Sequence, residues 1–344
     1  MSNMAKSANS YKLNDFIRKD TNLFRLVAIL AFVFVLMSIL KPDLFLQSGN
    51  FISMAKQFPE FGILAIAISI TMITGGIDLS VVATANLSAI VAAKFLIATV
   101  PAGSAQFFTI EMIIVAIVIA IITGVIAGAV NGFLISKIGI PAILATLGTY
   151  QLFSGIAIVF TKGRSISGLP MLYSQTGNKE LFGYIPVPLV IFIVVAIIIG
   201  IFLAKTKSGM QLYLFGTNEK ASLFSGLNNT WITMRTYMIS GGLSAVAGLI
   251  MMARANSVNP DYGSDYTLQC VLIAVLGGIN PKGGFGNIQG VTVAIIILQI
   301  LSSGLNMFEN ISNFYRDIIW GGVLVLVLVF NYYINKREQR KLAQ

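Results

Sequence analysis

Residues 111–132 read EMIIVAIVIAIITGVIAGAVNG, a single acid followed by a run without any charge that closes on Asn131-Gly132. A helix needs ~20 apolar residues to cross ~30 Å of hydrocarbon, and this stretch meets that length. No polar face recurs along it, so it does not suit the surface of a soluble domain. Gly124, Gly128 and Gly132 recur every four residues. They share one helix face and admit a neighbouring backbone at close range.

Outward from this span, prolines, glycines and charges divide the chain into about ten spans, near 25–40, 59–75, 79–98, 111–132, 141–160, 187–204, 233–254, 267–279, 288–306 and 317–334. The runs are continuous rather than alternating, so helices rather than a β-barrel satisfy the backbone in lipid. The expected fold class is all-α: a polytopic transmembrane helical bundle of about ten helices. Residues 1–344 form one domain, with a cytoplasmic loop at 205–232. Spans 25–40 and 267–279 are short, a mark of broken helices in transporters. The nine prolines fall in or beside connections or helix starts, and Pro141 opens a helix where its missing N–H costs nothing. A polar, basic stretch leads to Arg25, and no small-residue cleavage site follows the apolar run 26–40, so a retained first helix is expected and not a signal peptide.

Composition agrees with lipid as solvent. Hydrophobic residues make up 56% of the chain and charged ones only 10%, where a soluble chain carries about a quarter. Ten spans place both termini on one side. Assigning that side to the cytoplasm puts Lys205, Lys207, Lys220, Arg235, Lys282, Lys336 and Arg337 inside, together with the basic N-terminal residues. The opposite side receives Lys41, Lys56, Lys94, Lys162, Arg164, Lys179, Arg254 and Arg316, matched by Asp43, Glu60, Glu111, Glu180, Asp261, Asp265, Glu309 and Asp317. The excess of the +10 net charge is thus cytoplasmic, as the positive-inside rule requires, and no nucleic-acid partner is implied. The chain has no His, which excludes Ser-His-Asp catalysis and His-ligated metals. Its single cysteine, Cys270, excludes an intrachain disulfide and CxxC chemistry, and no metal site is expected.

In the inner loop, Phe215-Gly216-Thr217-Asn218 precedes Glu219-Lys220-Ala221-Ser222-Leu223-Phe224-Ser225, and Gly226 follows. Asn218 suits an N-cap, Glu219 the positive end of a helix dipole and Gly226 a C′ position. A short helix is therefore predicted, whose Leu223 and Phe224 either dock into a groove on a soluble partner or lie on lipid. Asp78 lies in Thr74-Gly75-Gly76-Ile77-Asp78-Leu79-Ser80 at an inner junction, as a helix cap or a functional acid. Leu276-Gly277-Gly278-Ile279-Asn280 echoes that string at a second inner junction. The glycine-rich run 283–290 lacks the GxxxxGK[ST] spacing and any βαβ context, so it reads as a tight turn, and any ATP is hydrolysed on another subunit.

In this order, the motifs resemble the membrane permeases of bacterial ATP-binding-cassette (ABC) importers for ribose, xylose, galactose and similar small solutes. The resemblance runs from the first helix to the last. It rests on Gly75-Gly76-Ile77-Asp78-Leu79-Ser80, Asn131-Gly132, Pro141, Thr146-Leu147-Gly148-Thr149, Gly216-Thr217-Asn218, Ser225-Gly226, Gly277-Gly278, Gly283-Gly284-Phe285-Gly286 and Gly304-Leu305-Asn306. It implies a multi-pass protein of the bacterial inner membrane, paired with a second permease copy or paralogue. Two ATPase subunits would carry ATP and Mg, this chain binding no cofactor itself, and a substrate-binding protein would deliver the solute. It also implies that Gly216, Asn218, Glu219, Ala221, Leu223, Phe224, Ser225 and Gly226 form the helix that contacts the ATPase. Family members usually carry Gly where this chain has Val82, often Phe where it has Ala142, commonly an acid where it has Thr267, and a small apolar residue where it has Asn86. These departures leave transport as the expectation and set the usual sugar specificity in question.

Uncharged polar side chains suit the path of a neutral polyhydroxylated solute, because they hydrogen-bond without trapping it. The candidates are Asn86, Thr146, Tyr150, Gln151, Gln269, Gln299 and Asn306, each of which also suits an interhelical hydrogen bond. A sugar is the expected solute, with a polyol or a furanone-type signal as the alternative. An ion-coupled transporter favours ionisable residues buried mid-span, and Lys94 lies near enough to the outer end to snorkel. An intramembrane enzyme needs a convergent nucleophile and base, and none is visible.

Overall fold

The computed structural model describes residues 21–101 and 104–308, with helical positions at 318, 321, 322, 325 and 329. The expected span at 317–334 lies almost wholly outside the described residues, as do both termini. The helices are α1 (Thr21–Leu40), α2 (Pro42–Phe45), α3 (Ser48–Ile73), α4 (Val81–Thr99), α5 (Gln106–Phe133), α6 (Ala142–Thr161), α7 (Met171–Asn178), α8 (Val187–Lys205), α9 (Lys207–Thr217), α10 (Glu219–Phe224), α11 (Asn229–Ala255), α12 (Tyr266–Leu276) and α13 (Ile288–Leu305). One π-helical segment, Leu134–Ile138, extends α5. Among the described residues, eight helices are long and apolar enough to cross a bilayer: α1, α3, α4, α5, α6, α8, α11 and α13. Helix α12 has 11 residues, which at about 1.5 Å per residue covers only half the hydrocarbon.

Two expectations are corrected. Helix α1 spans 20 residues and is not short. Helix α3 starts at Ser48 rather than near 59, so Lys56 and Glu60 lie in its first half and Pro59 lies inside the helix instead of at its start. That start is supported by tertiary contacts: Lys56 pairs with Glu180 at 2.8 Å, and Glu60 pairs with Arg254. At the end of the bundle away from α10, the end expected to face out, lie two small antiparallel ribbons that leave the fold all-α: β1 (Ile166–Ser167) with β4 (Ser257–Val258), and β2 (Glu180–Leu181) with β3 (Ile185–Pro186).

Helix α11 forms the centre of the bundle, flanked by α5, α3 and α4. The three glycines of α5 face it, as their spacing predicts. A Cβ at Gly124 would strike the Gly241 carbonyl, one at Gly128 the Tyr237 carbonyl, and one at Gly132 would lie 2.8 Å from the Met234 Cα. The two backbones are therefore in direct contact, and van der Waals packing replaces the hydrophobic drive that lipid cannot supply. On the other flank, Gly248 of α11 abuts the Ala85 backbone of α4. From Phe61 to its end α3 is buried on every side, which its continuous apolar sequence permits. Helices α1, α5, α6 and α8 turn large apolar side chains outward, as a lipid-facing ring does.

At the same end as the two ribbons, α7 lies across the end of α11. The Tyr173 hydroxyl donates to the Leu249 carbonyl at 2.7 Å, and Gly177 sits against the backbone of Ala253 and Arg254. Between β2 and β3 the hairpin tip holds Phe182 at φ 55° and Gly183 at φ 77°. Left-handed backbone at a bulky aromatic costs on the order of 1 kcal/mol.

Candidate functional site

Helix α10 forms as its sequence dictates. The Asn218 side chain accepts from the Ala221 N–H at 3.0 Å, and Glu219 occupies the first turn. At the other end Gly226 takes φ 77°, while the Gly226 and Leu227 N–H groups donate to Leu223 and Ser222 carbonyls at 3.0 and 3.2 Å. The helix is also tied to the start of α11: Ser222 Oγ donates to Asn229 Oδ1 at 2.8 Å, and Asn229 Nδ2 donates to the Glu219 carbonyl at 2.9 Å. Those ties face inward and leave Leu223 61% and Phe224 90% exposed. Helix α9 lies within the stretch 205–232 expected as a loop. Its signals were a Thr206 cap, which accepts from the Gly209 N–H at 3.0 Å, and Leu212, which is fully buried.

Helix α9 carries α10, and at Gly216 in its last turn three segments meet backbone to backbone. A Cβ at Gly216 would strike the Ile73 carbonyl and lie 2.6 Å from the Gly284 nitrogen. The Gly284 N–H donates to that same Ile73 carbonyl at 2.8 Å. A Cβ at Gly283 would lie 2.8 Å from both the Gly216 carbonyl oxygen and the Gly75 nitrogen. Gly75 and Gly283 also need their glycine identity for φ 81° and 89°. Tyr213 of α9 adds a bond from its hydroxyl to the Gly286 carbonyl at 2.8 Å. At Gly216 the end of α3, the end of α9 and the α12–α13 loop are thus joined backbone to backbone, with Tyr213 tying α9 to the loop beside that point.

Just beyond this junction, Asp78 anchors a buried polar chain. Asp78 Oδ1 accepts from Ser80 N at 3.0 Å and Ser80 Oγ at 2.7 Å, and Oδ2 accepts from Ser240 Oγ of α11 at 2.8 Å. Asn131 Nδ2 of α5 donates to Ser80 Oγ at 2.8 Å, and Thr149 Oγ1 of α6 donates to Asn131 Oδ1 at 2.6 Å. Burial raises the Asp78 carboxyl above the usual carboxylate range, and the bonds from Ser80 and Ser240 act in the opposite direction. The acid of the Gly75-Gly76-Asp78 motif is therefore the hub that fixes α5, α6 and α11 around the turn, rather than a helix cap; the N-cap position of α4 is Ser80. Of this chain only Asp78 was singled out for a role from sequence; Ser240 carried no signal.

The echoed string has the same local build. Asn280 Oδ1 accepts from Lys282 N at 3.0 Å, as Asp78 does from Ser80 N. The preceding helices close with the same kind of bond, Gly76 N–H on the Thr71 carbonyl at 3.1 Å and Ile279 N–H on the Ala274 carbonyl at 3.0 Å, but one residue later in the second string, where the left-handed glycine is Gly278 rather than the counterpart of Gly75.

The seven path candidates are dispersed. Thr146 is fully buried and donates to the Ile77 carbonyl at 3.0 Å. Asn86 donates to the carbonyls of Pro260 and Tyr262, both at 2.9 Å, which fastens α4 to the outer loop. Gln299 is buried beside an apolar crevice of about 600 Å³ between α1, α3 and α13. Tyr150 is half-buried against the α4 side of α6, Gln151 faces out from α6, Gln269 is half-buried on α12 and Asn306 is exposed at the end of α13. At the end of the bundle away from α10, Arg254 bridges Glu60 and the Tyr262 hydroxyl, the latter at 2.7 Å.

Residues 50–328 match the family described as branched-chain amino acid transport system / permease component. The ribose import permease protein RbsC of Bacillus subtilis is 36% identical over 298 residues, covering 86% of this chain and 88% of that protein. RbsC of Escherichia coli K12 is 31% identical over 98% of this chain and its own full length. The D-allose transport system permease protein AlsC of Escherichia coli K12 is 26% identical over 90% of this chain and 91% of that protein. No solved structure matches the chain. With the family match running from the start of α3 to beyond α13, and relatives aligned over nearly their whole length, the chain belongs to this family of ABC-transporter permease components and is a multi-pass membrane protein.

Proposed function

We propose that the chain is the permease subunit of an ABC importer that passes a small neutral polyhydroxylated solute, a pentose- or hexose-type sugar, across the cytoplasmic membrane. Separate ATPase subunits that carry ATP and Mg drive it, and a substrate-binding protein delivers the solute. The observation that carries this reading is α10: a doubly capped helix with Leu223 and Phe224 turned to solvent, seated on Gly216. Two apolar side chains on a short rigid helix suit a groove on a partner protein. Closure of the paired ATPases displaces α10, and the glycine junction passes that displacement to the ends of α3 and α12 without side-chain slack. The relatives named for ribose and allose support a sugar as solute. A relative named as an autoinducer 2 import permease is 28% identical, and the relatives named for sugars favour a sugar over a furanone-type signal.

A second permease copy completes the path in this reading. It seats against the outward face of α6, where Gln151 stands exposed between Gly148 and Gly155, each with open space around it. An amide turned to acyl chains is costly, and a facing copy or solute removes that cost.

The test is reconstitution of the permease with its ATPase and binding protein in vesicles. Uptake of ribose or allose that requires ATP is expected; uptake that follows an ion gradient and ignores ATP sinks the reading. Replacing Leu223 and Phe224 with Asp is expected to abolish ATPase co-purification while leaving the folded membrane bundle intact.

A further inference from the structure

We propose that the outer hairpin 180–186 is a lipid anchor, with Phe182 and Tyr184 seated in the headgroup–acyl boundary of the outer leaflet. The hairpin turns through a three-residue loop, Phe182 to Tyr184. Leu181 pairs with Ile185, the Tyr184 N–H donates to the Leu181 carbonyl at 3.2 Å, and both Phe182 and Gly183 take positive φ. Two consecutive positive φ values define the type I′ turn, whose preferred sequence is Asn-Gly. Here Phe occupies the Asn position, accepting left-handed strain that Asn tolerates. Its ring is 91% exposed, so nothing within the described chain compensates that choice. Tyr184 is 76% exposed beside it, and Leu181 and Ile185 are exposed as well.

The position of the hairpin identifies what meets those rings. Its root is fixed by the Lys56–Glu180 pair, a bond from the Val187 N–H to the Lys179 carbonyl at 3.1 Å and the buried Pro186. Strand β3 then runs without a break into α8, whose Ile193, Val194, Ile197 and Ile198 are exposed along a charge-free span. The tip is thus continuous with a lipid-facing helix and sits at its outer end, the depth at which aromatic rings with one polar edge concentrate. Lipid rather than a soluble protein is the occupant this continuity favours. Anchored in this way, the hairpin holds the outer half of α3 to the bilayer through Lys56.

The experiment uses the full chain in phosphatidylethanolamine/phosphatidylglycerol vesicles. Nitroxide labels are placed at Phe182→Cys or Tyr184→Cys in a Cys270→Ala background, with Phe224→Cys as the water-exposed reference. Collision rates with oxygen, which partitions into lipid, and with a water-soluble nickel chelate are read by power saturation. The oxygen rate at 182 is expected to exceed the nickel rate several-fold, with the reverse at 224. A nickel rate at 182 equal to or above the oxygen rate places the tip in water and overturns the anchor, whatever the value at 184. In that case the hairpin is a docking surface for a soluble protein.

Discussion

Glu60 is fully buried on α3, and its charge is answered by Arg254 at the end of α11. Removing one member of a buried pair is worse than removing both, because the survivor keeps its desolvation cost. Arg254→Ala is therefore expected to destabilise the protein by about 3 kcal/mol. The double variant Glu60→Gln with Arg254→Met should recover most of that loss, as read from unfolding midpoints in mixed micelles. Glycines separate in the same way. Gly241 meets the Gly124 backbone and Gly148 meets open space. Gly241→Ala should lower the thermal midpoint, with a cost of about 1–3 kcal/mol or more, because the α5–α11 contact must open. Gly148→Ala should leave the midpoint of the lone chain unchanged or raise it, since a helical glycine gives way to a better helix former. If α6 faces a second copy, that same variant lowers the dimer fraction in cross-linking, which separates the two effects.

At the scale of elements, α10 was legible because all its determinants are local: Asn218, Glu219 and Gly226 lie within one short stretch and act on their own backbone. Asn218→Ala removes the cap, worth about 1 kcal/mol, and should weaken ATPase capture severalfold, whereas Asn218→Asp should retain it; a pull-down titration measures both. The outer half of α3 was not legible. Lys56 read as part of a connection and Pro59-Glu60 as the start of a helix, and only Glu180 and Arg254, far away in sequence, make that polar turn acceptable inside a bundle. The polar chain about Asp78 was hidden for a related reason. Its members come from the turn, α5, α6 and α11, and serines and threonines of membrane helices often bond their own preceding turn instead, as Ser69 does with the Ala65 carbonyl at 2.7 Å. Nothing local distinguishes Ser240 from Ser69. The path candidates Thr146 and Asn86 were chosen by polarity alone, and the structure commits both to carbonyls of neighbouring segments.

For the whole molecule, the alternation of spans puts Phe224 and Phe182 on opposite faces, and the only cysteine of the chain is fully buried. A membrane-impermeant maleimide added to sealed inside-out vesicles should label Phe224→Cys and spare Phe182→Cys. Right-side-out vesicles should give the reverse, and both should leave Cys270 silent. Equal labelling of both sites from one side would contradict the topology. The backbone junction of Gly75, Gly216 and Gly283 has a further consequence for biogenesis. Its three strands of chain leave the ribosome far apart in time, and the Gly284 N–H that closes on Ile73 is made last. Until that residue emerges, α10 exists but rests on a seat missing one wall. The surface that recruits the motor is therefore finished only when nearly the whole bundle has been synthesised, so an incomplete nascent chain presents no finished dock to the ATPase.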